Sequence, residues 1–76
     1  MGGSHRYSVI LEPLEEGGFN VRVPALPEVV TYGGSEAEAL AMAEDAIRLA
    51  LSYRLDHGEP VPPEAKPKLR EVTVAL

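Results

Sequence analysis

The chain predicts an α+β domain: an antiparallel sheet of three to four strands with one long helix packed on one face. Three observations carry that expectation. Two segments alternate apolar and polar residues on either side of a glycine turn, a proline corner leads into a third β-branched segment, and one long stretch without Pro or internal Gly opens on a capping motif.

Arg6 to Glu12 sets Tyr7, Val9 and Leu11 on one side and Ser8, Ile10 and Glu12 on the other, the period of a half-buried strand. Glu15, Glu16, Gly17 and Gly18 make a connection of hairpin length. Beyond it Phe19, Val21 and Val23 alternate with Asn20 and Arg22, so a second, antiparallel strand is expected. Pro24 and Pro27 restrict their own φ and bias the residues before them toward extended backbone, so Val23 to Leu26 leaves the strand through a corner. Val29 to Tyr32 is β-branched and aromatic and reads as a short third strand.

Ser35 to about His57 is rich in Ala, Leu and Glu and predicts the one long helix. Ser35 and Glu38 have the S-x-x-E spacing of a capping box, in which each side chain accepts from the other residue's backbone amide. Gly58 is placed as a left-handed stop. Pro60, Pro62, Pro63 and Pro67 then exclude regular structure. Lys68 to Leu76, with Val72, Val74 and Leu76 set against Arg70, Glu71 and Thr73, reads as a fourth strand. Residues 6–76 are thus one domain. Met1 to His5 (MGGSH) reads as a flexible start or an expression remnant.

The helix has more apolar surface than one sheet face covers. Leu40, Ala43, Ile47 and Leu51 form a stripe expected to lie on the sheet. Met42, Ala46, Leu49 and Tyr53 form a second stripe roughly 150° away. Two readings of it stand side by side: the proline-rich segment folds over it or its members are scattered surface apolars, or it is a protein interface for a second copy or another partner.

Seventy-six residues, with a formal net charge of −5 and an isoelectric point near 4.9, make one small domain. A chain this short buries only about 60–65% of its unfolded surface, so oligomerisation is an expected source of stability. The acidity disfavours a nucleic-acid backbone as ligand; it either favours a basic protein or simply keeps a small domain soluble. No cysteine is present, which excludes disulfides, thiolate metal sites and a cysteine nucleophile and fits a cytoplasmic location. No apolar run approaches the length of a membrane span.

Catalytic chemistry is not expected. The histidines are His5, near the chain start, and His57, in the last helical turn. Glu15 and Glu16 are adjacent hairpin residues, and Glu38, Asp45 and Asp56 lack a further ligand at metal-binding spacing. Gly33-Gly34 precedes a helix, where an anion could bind, but has no phosphate-loop pattern and reads as a turn and cap. Glu12 is the one strand carboxylate comparable with a metal-nuclease site, and one carboxylate does not hold two metals. No catalytic residue, metal or cofactor is assigned.

Several motifs in order resemble the HicB antitoxin family, in its N-terminal, partial ribonuclease-H-like domain. They are Y-x-V-x-L-E at Tyr7 to Glu12, the acidic Gly-Gly turn before Phe19, V-x-x-P-x-L-P at Val21 to Pro27, T-x-G at Thr31 to Gly33, E-A-L at Glu38 to Leu40, and D-H-G-E-P-V-P-P at Asp56 to Pro63. Glu28 and Val29 depart from the small pair the family often has there. The resemblance implies a type II toxin–antitoxin role, in which a homo-oligomeric antitoxin neutralises a small basic, HicA-like toxin that cleaves mRNA. A solitary oligomeric scaffold or regulator is the alternative reading. Leu76 leaves no room for the DNA-binding module many members carry, so direct operator binding is not expected of this chain.

Overall fold

The computed structural model describes residues 3–76. Three strands and a helix follow in chain order: β1 (Ile10–Pro13), β2 (Phe19–Arg22), β3 (Val30–Gly33) and α1 (Glu36–Asp56). The α+β expectation holds, with a sheet of three antiparallel strands in the order β1-β2-β3. Leu11 pairs with Val21, and Val21 with Thr31, so one row of side chains faces the helix across all three strands. The hairpin closes through Gly17 N–H to Leu14 O and Leu14 N–H to Gly18 O, each 3.0 Å.

The core lies between that face and α1. Val21, Ala39 and Ala43 form one buried group, joined by Val9, Leu11 and Phe19. Val23, Leu26 and Val29 form the other, joined by Tyr7, Ala46, Ile47, Ala50 and Leu51. The proline corner therefore does more than turn the chain: it inserts Leu26, fully buried, between sheet and helix. Hydrogen bonds from Leu26 N–H to Val23 O and from Val29 N–H to Leu26 O hold the corner at 3.0 and 2.9 Å.

The helix comes down on alanines. A Cβ on Gly33 would overlap the backbone N and Cα of Ala39, so only glycine allows β3 and α1 this close. The contact decides the packed face. Ala39 is buried, and Leu40, expected on the sheet, is turned to the flank and 46% exposed, while Ala43, Ile47 and Leu51 pack as expected. At the N-terminus the Glu38 amide donates to Ser35 Oγ at 3.2 Å, but Glu38 Oε1 accepts from the Gly34 amide at 2.6 Å. The reciprocal half of the capping box is thus made one residue earlier than the sequence predicts. His57 is the C-cap, and Gly58 follows at φ 71° in the left-handed region.

Lys68 to Leu76, expected as a fourth strand, forms none. Its side chains stand in solvent, with Leu69 91% and Val72 84% exposed. A strand exists through its partner's hydrogen bonds, and the proline segment does not bring this one onto either sheet edge. Of the expected flexible start, Met1 and Gly2 lie outside the described residues, and Gly3 to His5 are exposed.

Candidate functional site

The outer side of α1 carries the apolar surface that the core leaves over. Met42, Leu49 and Tyr53 are exposed, Leu49 at 73% and Tyr53 at 59%. Ala46, grouped with them in the sequence, is half-buried and also packs against the cluster of Val23, Leu26 and Val29. It forms part of a shallow groove of about 330 Å3 lined also by Val29, Val30, Leu49, Ala50 and Tyr53. Val30 extends the patch beyond the helix, and sequence reasoning missed it. It stands in register with Arg22 on the outer face of the sheet, in one row with Ile10.

Local contacts hold Tyr53 in place. Its ring stacks on His57 with centroids 3.9 Å apart, and His57 Nδ1 donates to the Tyr53 carbonyl at 2.8 Å. That carbonyl also accepts from the His57 backbone amide at 3.1 Å. One turn of helix thus presents an aromatic ring with less freedom than an isolated side chain.

Glu28 borders the same groove. Arg54 Nε and Nη2 donate to its two carboxylate oxygens at 2.9 and 3.0 Å, tying the C-terminal half of α1 to the proline corner. The hydrogen bond from Arg54 lowers the Glu28 pKa from its ordinary value and raises that of Arg54. Glu28 thus has a structural reason to stand at the corner.

The proline segment takes another path and leaves the patch open. Tyr7 Oη donates to Pro62 O at 2.7 Å, and the Ser8 amide and hydroxyl donate to Glu64 Oε2 at 2.9 and 2.6 Å. These bonds, the hydroxyl's first, lower the Glu64 pKa. Pro67 then lines a cavity of about 370 Å3 with Ile10, Pro24 and Pro27.

Several acids that could be weighed for chemistry are held by neighbouring arginines. Glu12 is engaged by Arg22 at 3.1 Å, and Glu44 and Asp45 by Arg48 at 2.6 and 3.1 Å. The Gly34 amide, where an anion could have bound, is taken by the chain's own Glu38. Among the described residues no group of three or more His, Cys, Asp or Glu could hold a metal ion. No described helix is long and apolar enough to cross a membrane.

Comparison with known proteins adds the family. Residues 6–76 match the family described as HicB_like antitoxin of bacterial toxin-antitoxin system. The chain is 46% identical over 57 residues to antitoxin HicB 1 of Photorhabdus laumondii, covering 75% of this chain and 37% of that protein. Against antitoxin HicB of Escherichia coli it is 39% identical over 57 residues, covering 75% of this chain and 41% of that protein. The chain thus spans about two fifths of the length of these relatives. It is also 36% identical over 69 residues to the UPF0150 protein Ta0767 of Thermoplasma acidophilum, covering 91% of this chain and 96% of that protein. With the match running from Arg6 to Leu76, the chain belongs to the HicB-like antitoxin family.

Proposed function

We propose that this chain is the toxin-binding module of a type II antitoxin, acting in the cytoplasm without catalysis of its own. It binds and neutralises a small basic toxin that cleaves mRNA. One observation carries the choice of surface: the outer stripe of α1, with Met42, Leu49 and a braced Tyr53, is exposed beside a groove that no part of the described chain covers. Tyrosine and methionine are among the residues enriched at protein interfaces. The net charge of −5 would speed encounter with a cationic partner.

Co-expression with the small basic protein encoded beside its gene tests this reading. Capture of that protein by the native chain, lost on Leu49→Asp and Tyr53→Asp with the fold intact by circular dichroism, is the expected result. No capture at all would overturn the antitoxin reading. Capture unaffected by both substitutions would move the interface elsewhere.

A second reading is favoured by the relative that covers 96% of its own length with this one domain. In it the domain works as a self-associating scaffold or regulator without a toxin, and the same α1 stripe joins copies. A stable homo-oligomer that captures no basic partner supports it.

A further inference from the structure

The last nine residues have the pattern of a strand and the surroundings of none. Leu69, Val72, Val74 and Leu76 are each at least 72% exposed, although Val72, Val74 and Leu76 share one side of an extended chain. The molecule as a whole is too open for its mass. Its accessible surface is 6087 Å2 at 8.2 kDa, where a compact monomer would expose about 4,500 Å2. Its radius of gyration is 14.7 Å, against about 11 Å for a compact chain of this length. The excess of roughly 1,500 Å2 per chain is about twice what each partner buries in a standard interface, and two such chains together reach the range of an obligate homodimer.

A matching vacancy lies on the body. β1 is an edge strand, and beside it a groove of about 710 Å3 is lined by the apolar Tyr7, Val9, Leu40, Ala43, Ile47 and Leu51, and also by residues 3–6, Glu44 and Arg48. Leu40 is there because the Gly33–Ala39 contact turned it to the flank. Charge draws the tail to the acidic body as a whole, while the groove itself carries Arg6 and Arg48 beside Glu44. Residues 66–76 carry Lys66, Lys68 and Arg70 against the single acid Glu71, whereas residues 1–65 carry four arginines against eleven acids. The linker that delivers the tail is pinned at Tyr7 and Ser8, beside the start of β1.

We propose that residues 68–76 become a strand on a second copy of this chain, adding to the outer edge of its β1 beneath α1. Val72, Val74 and Leu76 fill the groove, the backbone of the tail satisfies the open edge, and reciprocal exchange closes a two-fold dimer. This rests on the self-association named above and needs no toxin.

The test uses the full chain. Sedimentation equilibrium over a wide concentration range gives the mass, and amide hydrogen exchange reports on residues 68–76. Isotope-filtered NMR on a mixture of labelled and unlabelled chains locates the tail. The expected result is a dimer with protected tail amides and contacts from the Val72 and Val74 methyls to Val9 and Leu40 of the other copy. The V72D/V74D double variant, altered where the single chain is exposed, should keep its circular dichroism and dimerise about tenfold or more weakly. A monomer at millimolar concentration would overturn the proposal. So would contacts confined to one chain, or a dimer that Leu49→Asp weakens and V72D/V74D does not. Failure to capture a toxin would leave it standing.

Discussion

Val21 and Val23 are 0% and 1% exposed, whereas Val72 and Val74, in a segment with the same alternation, are 84% and 72% exposed. The first pair has a hairpin partner in β1, which ends at Pro13 just across the five-residue Leu14 to Gly18 turn, and a helix delivered onto its face by Gly33 and the Ser35 cap. The second pair follows a linker stiffened by four prolines and has no such delivery. Alternation specifies which side chains share a face. It does not specify what covers that face, which depends on a partner brought close by the chain or by another molecule.

Body and tail should therefore answer substitution differently, and the largest effect belongs to the body. Leu26→Ala, at a fully buried position between sheet and helix, should cost about 2–5 kcal/mol in urea unfolding. If it costs no more than a surface change, the corner is not part of the core. Gly33→Ala should cost about 1–3 kcal/mol, because its new Cβ meets helix backbone, which yields less readily than a side chain. A normal melting temperature for that variant would show that α1 moves away at little cost. Ser35→Ala removes the acceptor for the Glu38 amide and should cost about 1 kcal/mol.

Changes in the tail should leave the body alone. V72D/V74D, measured at a dilution where the chain is monomeric, should shift unfolding by less than about 0.5 kcal/mol. A larger loss would place the tail in the body's own core and erase the contrast. The smallest effect joins the two regions. Glu64, held below the ordinary carboxylate range chiefly by the Ser8 hydroxyl, ties the linker to the body. A lowered folded-state pKa contributes stability above the ordinary carboxylate range and loses it as pH falls through the lowered value. The stability difference between the native chain and Glu64→Gln should accordingly be present near neutrality and vanish on acidification from about pH 5 downward. A difference that grows on acidification would assign Glu64 another role.

Much of the candidate surface was legible before the fold. Helical spacing grouped Met42, Leu49 and Tyr53, and all three are exposed. Ala46, grouped with them, serves both sides: it is half-buried against Val23 and Leu26 and lines the groove with Leu49 and Tyr53. The same spacing put Leu40 on the sheet, since the hundred-degree step gives relative positions on a helix but not the rotation of the helix about its axis. The bond from Arg54 to Glu28 spans 26 residues, and neither side chain signals the other along the chain.

By itself the sequence determined the turn at Gly17-Gly18, the proline corner, the helix from its Ser35 cap to the Gly58 stop, and the alternation within each strand. All of these rest on sterics and hydrogen bonds within a few residues. Only the tertiary structure decided which face of α1 is packed, that Leu26 fills the corner, and that the last nine residues leave the body. Those outcomes depend on how closely distant backbones approach and on whether a strand's edge finds a partner.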